Sequence, residues 1–456
     1  MINYRPISIL PSFSKVLEKL VYNRLYKFLN DRDIFYKHQY GFRAKHSTVH
    51  PITQLIKHVT TQNDKGTKDI TLAIFLDLRK AFDTVSHDIL LDKLKVYGIR
   101  GIANNWFKSY LSNRTQYVEY AGVKSSLKSL DHGVPQGSIL GPLLFLLYIN
   151  DLPNATSLNI LSFADDTTAY ISDHNMQNLQ TNINRELNKI YIWLCHNKLS
   201  LNIEKTSYMV FSAKRLSNVD NEIQLKVNDC RLQRNGHNMT NETNKFLGIH
   251  FDETLTWKFH IDKVSRTISK ALFALNKVKN FLPKSSLRTL YFSLIHCHIS
   301  YGLLAWGNSC AINRLYLLQK RAVRIISGKA YRAHTDPLFL NLEILKIYDE
   351  HKMQSLLFAH DYWHDKLPSS FKNFYDTGHN VATRRHNQKK LYTHRPRTNF
   401  SRDAAYYKTA ILWNNLNENL KIDNRSKFKW QMRKYYLSQY PATVQCGNRS
   451  CLECAP

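Results

Sequence analysis

Two short apolar runs in this chain close on aspartate, and a buried strand that ends in a carboxylate has few ways to fold. Residues 70–78 read Ile-Thr-Leu-Ala-Ile-Phe-Leu-Asp-Leu and carry Asp77. Residues 158–172 read as two strands around Asp165-Asp166, which makes a hairpin. A continuous apolar run of this length suits a strand covered on both faces. A carboxylate at its end is expensive unless it is paired or binds a cation. Two such ends side by side would gather negative charge that Mg²⁺ can neutralise, taking one or two carboxylates plus substrate phosphates and water. Two ions a few Å apart can activate a 3′-hydroxyl and stabilise departing pyrophosphate. Taken alone, Asp165-Asp166 suits a plain hairpin turn better, since Asp tolerates turn geometry.

The surrounding pattern is mixed. Residues 1–60 read as mainly helical, with Phe13, Val16, Leu17, Leu20, Leu25 and Phe28 near helical spacing. A helix is expected over residues 86–96, stopped at Gly98, then an extended stretch over 117–121 and a turn at Pro135-Gln136-Gly137. Another helix should follow Gly141-Pro142, with the proline in its first turn. Residues 179–194 form an amphipathic helix, 199–203 and 207–211 follow it as separate short segments, and a strand-like piece begins at Lys245. From about residue 254 the pattern turns helical. Residues 376–402 read as a polar, basic loop or arm, and a last helical region covers about 402–437.

Charge narrows the class of partner. Lys+Arg 64 against Asp+Glu 35 leaves a formal charge of +29, an excess that repels itself unless a polyanion is present. Nucleic acid is the first expectation, because each neutralised phosphate releases counterions. A basic membrane-surface protein is the competing reading. The longest apolar run, residues 139–149, is shorter than the roughly 20 residues of a span. Met1 leads into Asn3-Tyr4-Arg5-Pro6 with no secretory pattern, and the seven cysteines do not read as a disulfide framework. An intracellular setting and a piece of a longer protein are the simplest expectations.

Five motifs occur in order: Tyr4-Arg5-Pro6-Ile7-Ser8, Gln39-Tyr40-Gly41-Phe42-Arg43, Asp77-Leu78-Arg79-Lys80-Ala81-Phe82-Asp83, Gly133-Val134-Pro135-Gln136-Gly137-Ser138, and Phe163-Ala164-Asp165-Asp166. Together they resemble the reverse-transcriptase domain of non-LTR retrotransposons, particularly the jockey-like branch. The resemblance covers residues 3–248 and continues more weakly through Tyr301-Gly302-Leu303-Leu304-Ala305-Trp306-Gly307 and Leu318-Gln319-Lys320-Arg321-Ala322-Val323. It implies an α+β right-hand polymerase with fingers, a palm built on an antiparallel sheet, and a helical thumb. The implied division is fingers and palm over 1–253, a thumb-like region over 254–330, and a mainly helical, basic nucleic-acid-binding region over 331–456. The implied activity is RNA-directed DNA synthesis from a primer 3′-hydroxyl, on an RNA template with a DNA primer or target and deoxynucleoside triphosphates. Cytoplasm and nucleus are the compartments the family suggests.

Site roles follow from the same resemblance. Asp77, the carbonyl of Leu78 and Asp165 match ligands for two Mg²⁺ ions, with Mn²⁺ as a substitute, and Asp166 is the adjacent acid. Phe82 matches a gate that excludes a ribose 2′-hydroxyl, against the simpler reading of a core Phe. Gln136 and Gly137 match a loop meeting the nascent base pair. Arg5 and Arg43 match triphosphate contacts, and Arg43 also suits a solvated charge or a template-backbone contact. Lys205, in Leu201-Asn202-Ile203-Glu204-Lys205-Thr206, matches a lysine that protonates pyrophosphate or serves as plain positive charge. Phe246, Leu247 and Gly248 match a primer grip, or equally a strand end at a glycine turn.

Residues 384–408 carry eight Lys/Arg against the single acid Asp403, with Tyr392, Phe400, Tyr406 and Tyr407 interleaved. That mixture suits RNA by phosphate contact and stacking, or a solvated charge run. Cys446, Cys451 and Cys454 resemble half a zinc site and lack a fourth ligand, which disfavours zinc. No endonuclease or RNase H pattern is evident. An inactive or domesticated nucleic-acid-binding fragment is the alternative function. An intron-encoded maturase is a third, and the match after residue 254 points away from it.

Overall fold

A computed structural model describes residues 7–67, 69–213, 223–236, 242–375 and 390–442. Arg5, Arg384, Arg385, Lys389 and the three C-terminal cysteines lie outside these residues. The chain divides into two compact units, Met1–Pro51 with Asp69–Asn241, and Ile52–Lys68 with Glu242–Pro456.

The first unit is built on a five-stranded sheet. Its strands are β1 (Ile70–Leu76), β2 (Asn159–Phe163), β3 (Asp166–Asp173), β4 (Ser207–Phe211) and β5 (Gln233–Arg234), in the order β5-β4-β1-β3-β2. The β5–β4 pair is parallel and the other three pairs are antiparallel. β1 is therefore central, and all of it beyond Ile70 is buried, as its uninterrupted apolar composition requires. Strand alternation puts Leu72, Ile74 and Leu76 into the main hydrophobic cluster. Helices α1 (Ser12–Asp31), α2 (His87–Val96), α3 (Leu140–Ile149) and α4 (Met176–His196) join that cluster through residues such as Leu29, Leu94, Leu147 and Ile190. Helices packed on a mostly antiparallel sheet are the α+β arrangement expected. Every residue of α3 except Pro142 is buried, so this apolar run serves the core. No described helix is long and apolar enough to cross a membrane.

Side chains distant in sequence close both ends of α3. Glu18 of α1, 1% exposed, accepts the Ile139 and Leu140 amides at 2.6 and 3.4 Å and the Tyr110 hydroxyl at 3.0 Å. An anion there satisfies N–H groups that have no partner within the helix and complements its dipole. At the other end Lys93 donates to the Tyr148 carbonyl and to Asp151, both at 2.6 Å. Asn150 accepts the Tyr36 amide at 2.7 Å and donates to the Ile34 carbonyl at 2.8 Å.

Three local expectations are refined by the structure. Within residues 1–60 the described helices are Ser12–Asp31 and Val49–Asp64, with turns between them. Within residues 117–121 only Glu119–Tyr120 is strand, paired with Val123–Lys124, and a second short pair, Arg114–Gln116 with Lys128–Leu130, flanks it. Residues 199–203 make one bridge, Leu201 with Leu78, and then turn, because Asn202 is drawn into the bonds with Asp77 described below.

The second unit is helical apart from the hairpin Asn244–Phe246/Ile249–Phe251 among its described residues. Its longer helices are Lys258–Val278, Asn313–Ser327, Ile347–Trp363, Ala405–Asn414 and Arg425–Ser438. Gln319, fully buried, donates to the Tyr291 hydroxyl and the Leu345 carbonyl and accepts the Ile347 amide, all at 2.9 Å. Gly302 takes φ +61, and a Cβ there would meet Ile249 at 2.3 Å. Close packing accounts for that glycine.

Candidate active site

The antiparallel register of β1 and β3 pairs Phe75 with Thr168 and Leu76 with Thr167. One step further along the ladder, Asp77 and Asp166 stand at facing positions. Alternation sets them on the sheet face of Phe75 and Thr168, opposite the face of Leu72, Ile74 and Leu76. Asp165 lies in the two-residue turn between β2 and β3, which pair through Phe163 and Asp166 at the turn's base. The strand ends thus bring the expected acids to one edge of the sheet.

Asp77 is held from three sides. Its amide donates to Thr206 Oγ1 at 3.2 Å, its carbonyl accepts the Asn202 amide at 2.8 Å, and its Oδ2 accepts Asn202 Nδ2 at 2.9 Å. Leu78 continues the same tie through its bridge to Leu201. Asn202 also starts the turn that presents Lys205, whose amide donates to the Asn202 carbonyl at 3.2 Å. The Lys205 side chain is exposed.

The acidic turn is braced by the Gln39 motif. Residues 38–40 run beside β2, with the Tyr40 amide donating to the Ser162 carbonyl at 2.8 Å and the Ser162 amide to the His38 carbonyl at 3.0 Å. Gln39 Oε1 accepts the amides of Ala164 and Gly41, both at 2.9 Å. Ala164 holds φ +57, the left-handed region that a two-residue hairpin needs and that glycine usually supplies. For alanine this costs about 1–2 kcal/mol. Gly41 cannot be larger, because a Cβ would sit 2.3 Å from the Ala164 nitrogen. Beside the brace, burial and the charge of Lys37 lower the His38 pKa to about 4, so its imidazole is neutral at pH 7.

Arg43 is occupied in the same brace. Its guanidinium donates to the carbonyls of Tyr36 and Gln39 at 3.1 and 3.3 Å and covers the Phe35 ring at 4.9 Å. Neighbouring Phe42 meets Phe82 edge to face, with ring centroids 6.3 Å apart. Phe82 is half-buried and stacks on Phe145 of α3 at 4.4 Å, so the core fixes its orientation. Gln136 donates to Asp83 at 2.7 Å, and its carbonyl accepts the Ser8 amide at 2.7 Å. Gly137 takes φ +113, with the Ser8 carbonyl oxygen 2.7 Å from where a Cβ would be. Backbone approach therefore demands glycine at 137.

Phe246, Leu247 and Gly248 lie in the second unit. Leu247 and Gly248, at φ +45 and +83, form the two-residue turn of its hairpin. The Leu247 carbonyl accepts the Tyr301 hydroxyl at 2.6 Å, and Phe246 is buried beside Phe251 at 6.2 Å.

Four supporting residues, Asn202, Thr206, Gln39 and Glu18, carry no role in the sequence alone. The first three stand inside motifs quoted above, and that is the signal the sequence offers. Glu18 sits unmarked in an amphipathic helix.

Among the described residues, no three His, Cys, Asp or Glu side chains converge into a complete protein-made metal cage. A Mg²⁺ ion that draws most of its shell from phosphates and water needs only one or two carboxylates. Asp77 and the turn acids, on paired strand ends, fit that donor set.

Comparison with known proteins gives the family. Residues 1–251 match the family described as reverse transcriptase (RNA-dependent DNA polymerase). The probable RNA-directed DNA polymerase from transposon BS of Drosophila melanogaster is 31% identical over 76% of this chain and 39% of its own length. The RNA-directed DNA polymerase from mobile element jockey of the same organism is 28% identical over 78% of this chain and 38% of its own length. The chain thus spans about two fifths of these relatives. Among solved structures, apo telomerase from Candida tropicalis aligns at a TM-score of 0.40 and 12% identity, over 73% of this chain and 55% of that one. The chain belongs to the reverse transcriptase family, and within it to the jockey-like reverse transcriptases of non-LTR retrotransposons.

Proposed function

We propose that this chain extends a primer 3′-hydroxyl with deoxynucleotides on an RNA template, at the edge where Asp77, Asp165 and Asp166 meet. The observation that carries the reading is the β1–β3 register, which aligns the end of β1 with the acidic turn. In the reaction the 3′-hydroxyl loses its proton to water as its oxygen bonds to the α-phosphorus, the α–β phosphoanhydride bond breaks, and pyrophosphate leaves with the electron pair. Divalent metal, when bound, supplies Lewis-acid charge to the attacking and leaving oxygens.

Asp77 and Asp165 hold that charge in place, with the Leu78 carbonyl beside them and Asp166 available as a further acid. Phe82, fixed by Phe145, closes the space a 2′-hydroxyl would need. Gln136 and Gly137 present a loop whose backbone can lie close to the nascent base pair. Lys205 offers an ammonium to the departing pyrophosphate, and Arg5 meets the triphosphate. Arg43, through Nη1 bonded to two carbonyls, supports the brace. The Leu247–Gly248 turn is assigned to the primer, and the functional division is 1–253, 254–330 and 331–456. RNA template, DNA primer and deoxynucleotides are the partners, in cytoplasm and nucleus.

The test is extension of oligo(dT) on poly(rA) with dTTP and Mg²⁺, comparing wild type with Asp165→Ala. Extension by wild type alone supports the reading. Absence of extension by both, with salt-sensitive hybrid binding retained, would replace it with an inactive nucleic-acid-binding remnant.

A further inference from the structure

The second unit contains a cavity of about 560 Å³ lined by its own residues. One wall comes from the helix Val49–Asp64 and the residue just after it, through Lys57, Thr61, Asp64 and Lys65. The facing wall comes from far along the chain, through Phe374, Tyr392, Arg395, Arg397 and Tyr406. Asp64 joins the walls: its carboxylate accepts the Arg397 amide at 2.9 and 3.0 Å, and both the amide and hydroxyl of Thr398 at 2.9 Å. Ser401 adds a second tie, donating to the Thr60 carbonyl at 2.8 Å.

The lining has two chemical characters. Lys57, Lys65, Arg395 and Arg397 bring positive charge, and the carboxylate among them is already saturated by donors. Phe374 and Tyr406 meet edge to face at 6.4 Å, and the Lys57 ammonium stands over the Phe374 ring at 4.4 Å while donating to the Phe374 carbonyl. Tyr392 is half-buried, whereas Lys65, Arg395 and Arg397 are exposed. The size falls within the roughly 300–1,000 Å³ of small-ligand sites. An acidic peptide would use the cations and leave the aromatic surface idle. An unpaired nucleotide uses both, by phosphate contact and base stacking.

We propose that this cavity takes one unpaired nucleotide of a single-stranded nucleic acid, its phosphate on Lys65, Arg395 and Arg397 and its base against Tyr392 and Tyr406. None of the lining residues is among those assigned to the polymerase reaction, so binding here is measured apart from primer extension.

The test is fluorescence anisotropy of the full chain with labelled rA12 and dA12, without divalent metal or nucleoside triphosphates. Tyr392→Ala should weaken binding about tenfold and Tyr392→Phe should leave it near wild type, since only the first removes a stacking surface. Arg395→Ala should reduce the slope of log affinity against log salt by about 0.7. A preference for rA12 would identify RNA as the source and equal affinity would admit both strands; either supports the site. Wild-type affinity and salt slope in Tyr392→Ala and Arg395→Ala would overturn it. Should Tyr392→Ala fail to fold, a 4-thiouridine oligonucleotide is cross-linked to wild type. Adducts within residues 390–408 support the site, and adducts confined elsewhere overturn it.

Discussion

The two units use their hydrogen-bonding side chains differently. In the first, Gln39 and Asn202 bond directly to the turn and strand that carry acids. In the second, Gln319 ties helices together and Asp64 pins a loop from the far end of the chain. The first arrangement fixes anions beside their supports at the edge of a sheet. The second builds a cationic, aromatic recess whose walls are 333 residues apart in sequence at Asp64 and Arg397. A site for transferring phosphoryl groups needs fixed geometry, whereas a site that grips a phosphate needs charge and a surface.

Mutations can break this contrast, the largest effect first. Asp77→Asn or Asp165→Ala should lower primer extension by more than about 10³-fold with folding retained, since each removes a charge proposed to face the reacting phosphate. Comparable extension by these variants and wild type would remove the acids from the reaction. Asn202→Ala should cost about 10- to 100-fold in activity or metal affinity by loosening Asp77. The decisive readout is its Mg²⁺ titration, which a purely structural role would leave unchanged once the protein is folded.

Phe82→Val tests the gate. Its discrimination between dTTP and UTP should fall by on the order of 10-fold or more, and unchanged discrimination would return Phe82 to the core alone. In the second unit, Gln319→Ala leaves three buried partners unsatisfied and should lower stability by about 2–3 kcal/mol. Thermal unfolding of the full chain measures that effect.

The smallest effect concerns pH. Burial raises the Glu186 pKa, but bonds from Lys189, Ser157 and Thr156 outweigh it and hold the carboxyl at about 2. A folded pKa below the unfolded value contributes stability that is present above about pH 4.3 and is lost as pH falls through about 2. Glu186→Gln should therefore flatten the acid limb of the stability curve over that window, and an unchanged slope would place the titration elsewhere.

Much of the first unit is legible in the sequence because its chemistry restricts residue types at short spacing. The run before Asp77 and the pattern around Asp165-Asp166 predict strands, and both acids fall where a ladder can align them. Gly41 and Gly137 are visible as letters of motifs, but their reasons are not: one abuts Ala164 and the other Ser8. Arg43 shows the limit in the other direction. Its residue type suits phosphate, and the structure shows one of its nitrogens, Nη1, donating to the nearby carbonyls of Tyr36 and Gln39.

Sequence by itself determined the buried strands, the apolar helix Leu140–Ile149, the excess of positive charge and the acids of the candidate site. These depend on local periodicity and residue chemistry, which neighbours in the chain express directly. Tertiary structure alone decided which polar side chain supports which acid, why certain glycines admit no Cβ, and that residues 57–65 and 392–406 line one cavity. Such features arise when segments far apart in sequence are brought within hydrogen-bond reach, and no local pattern records that distance.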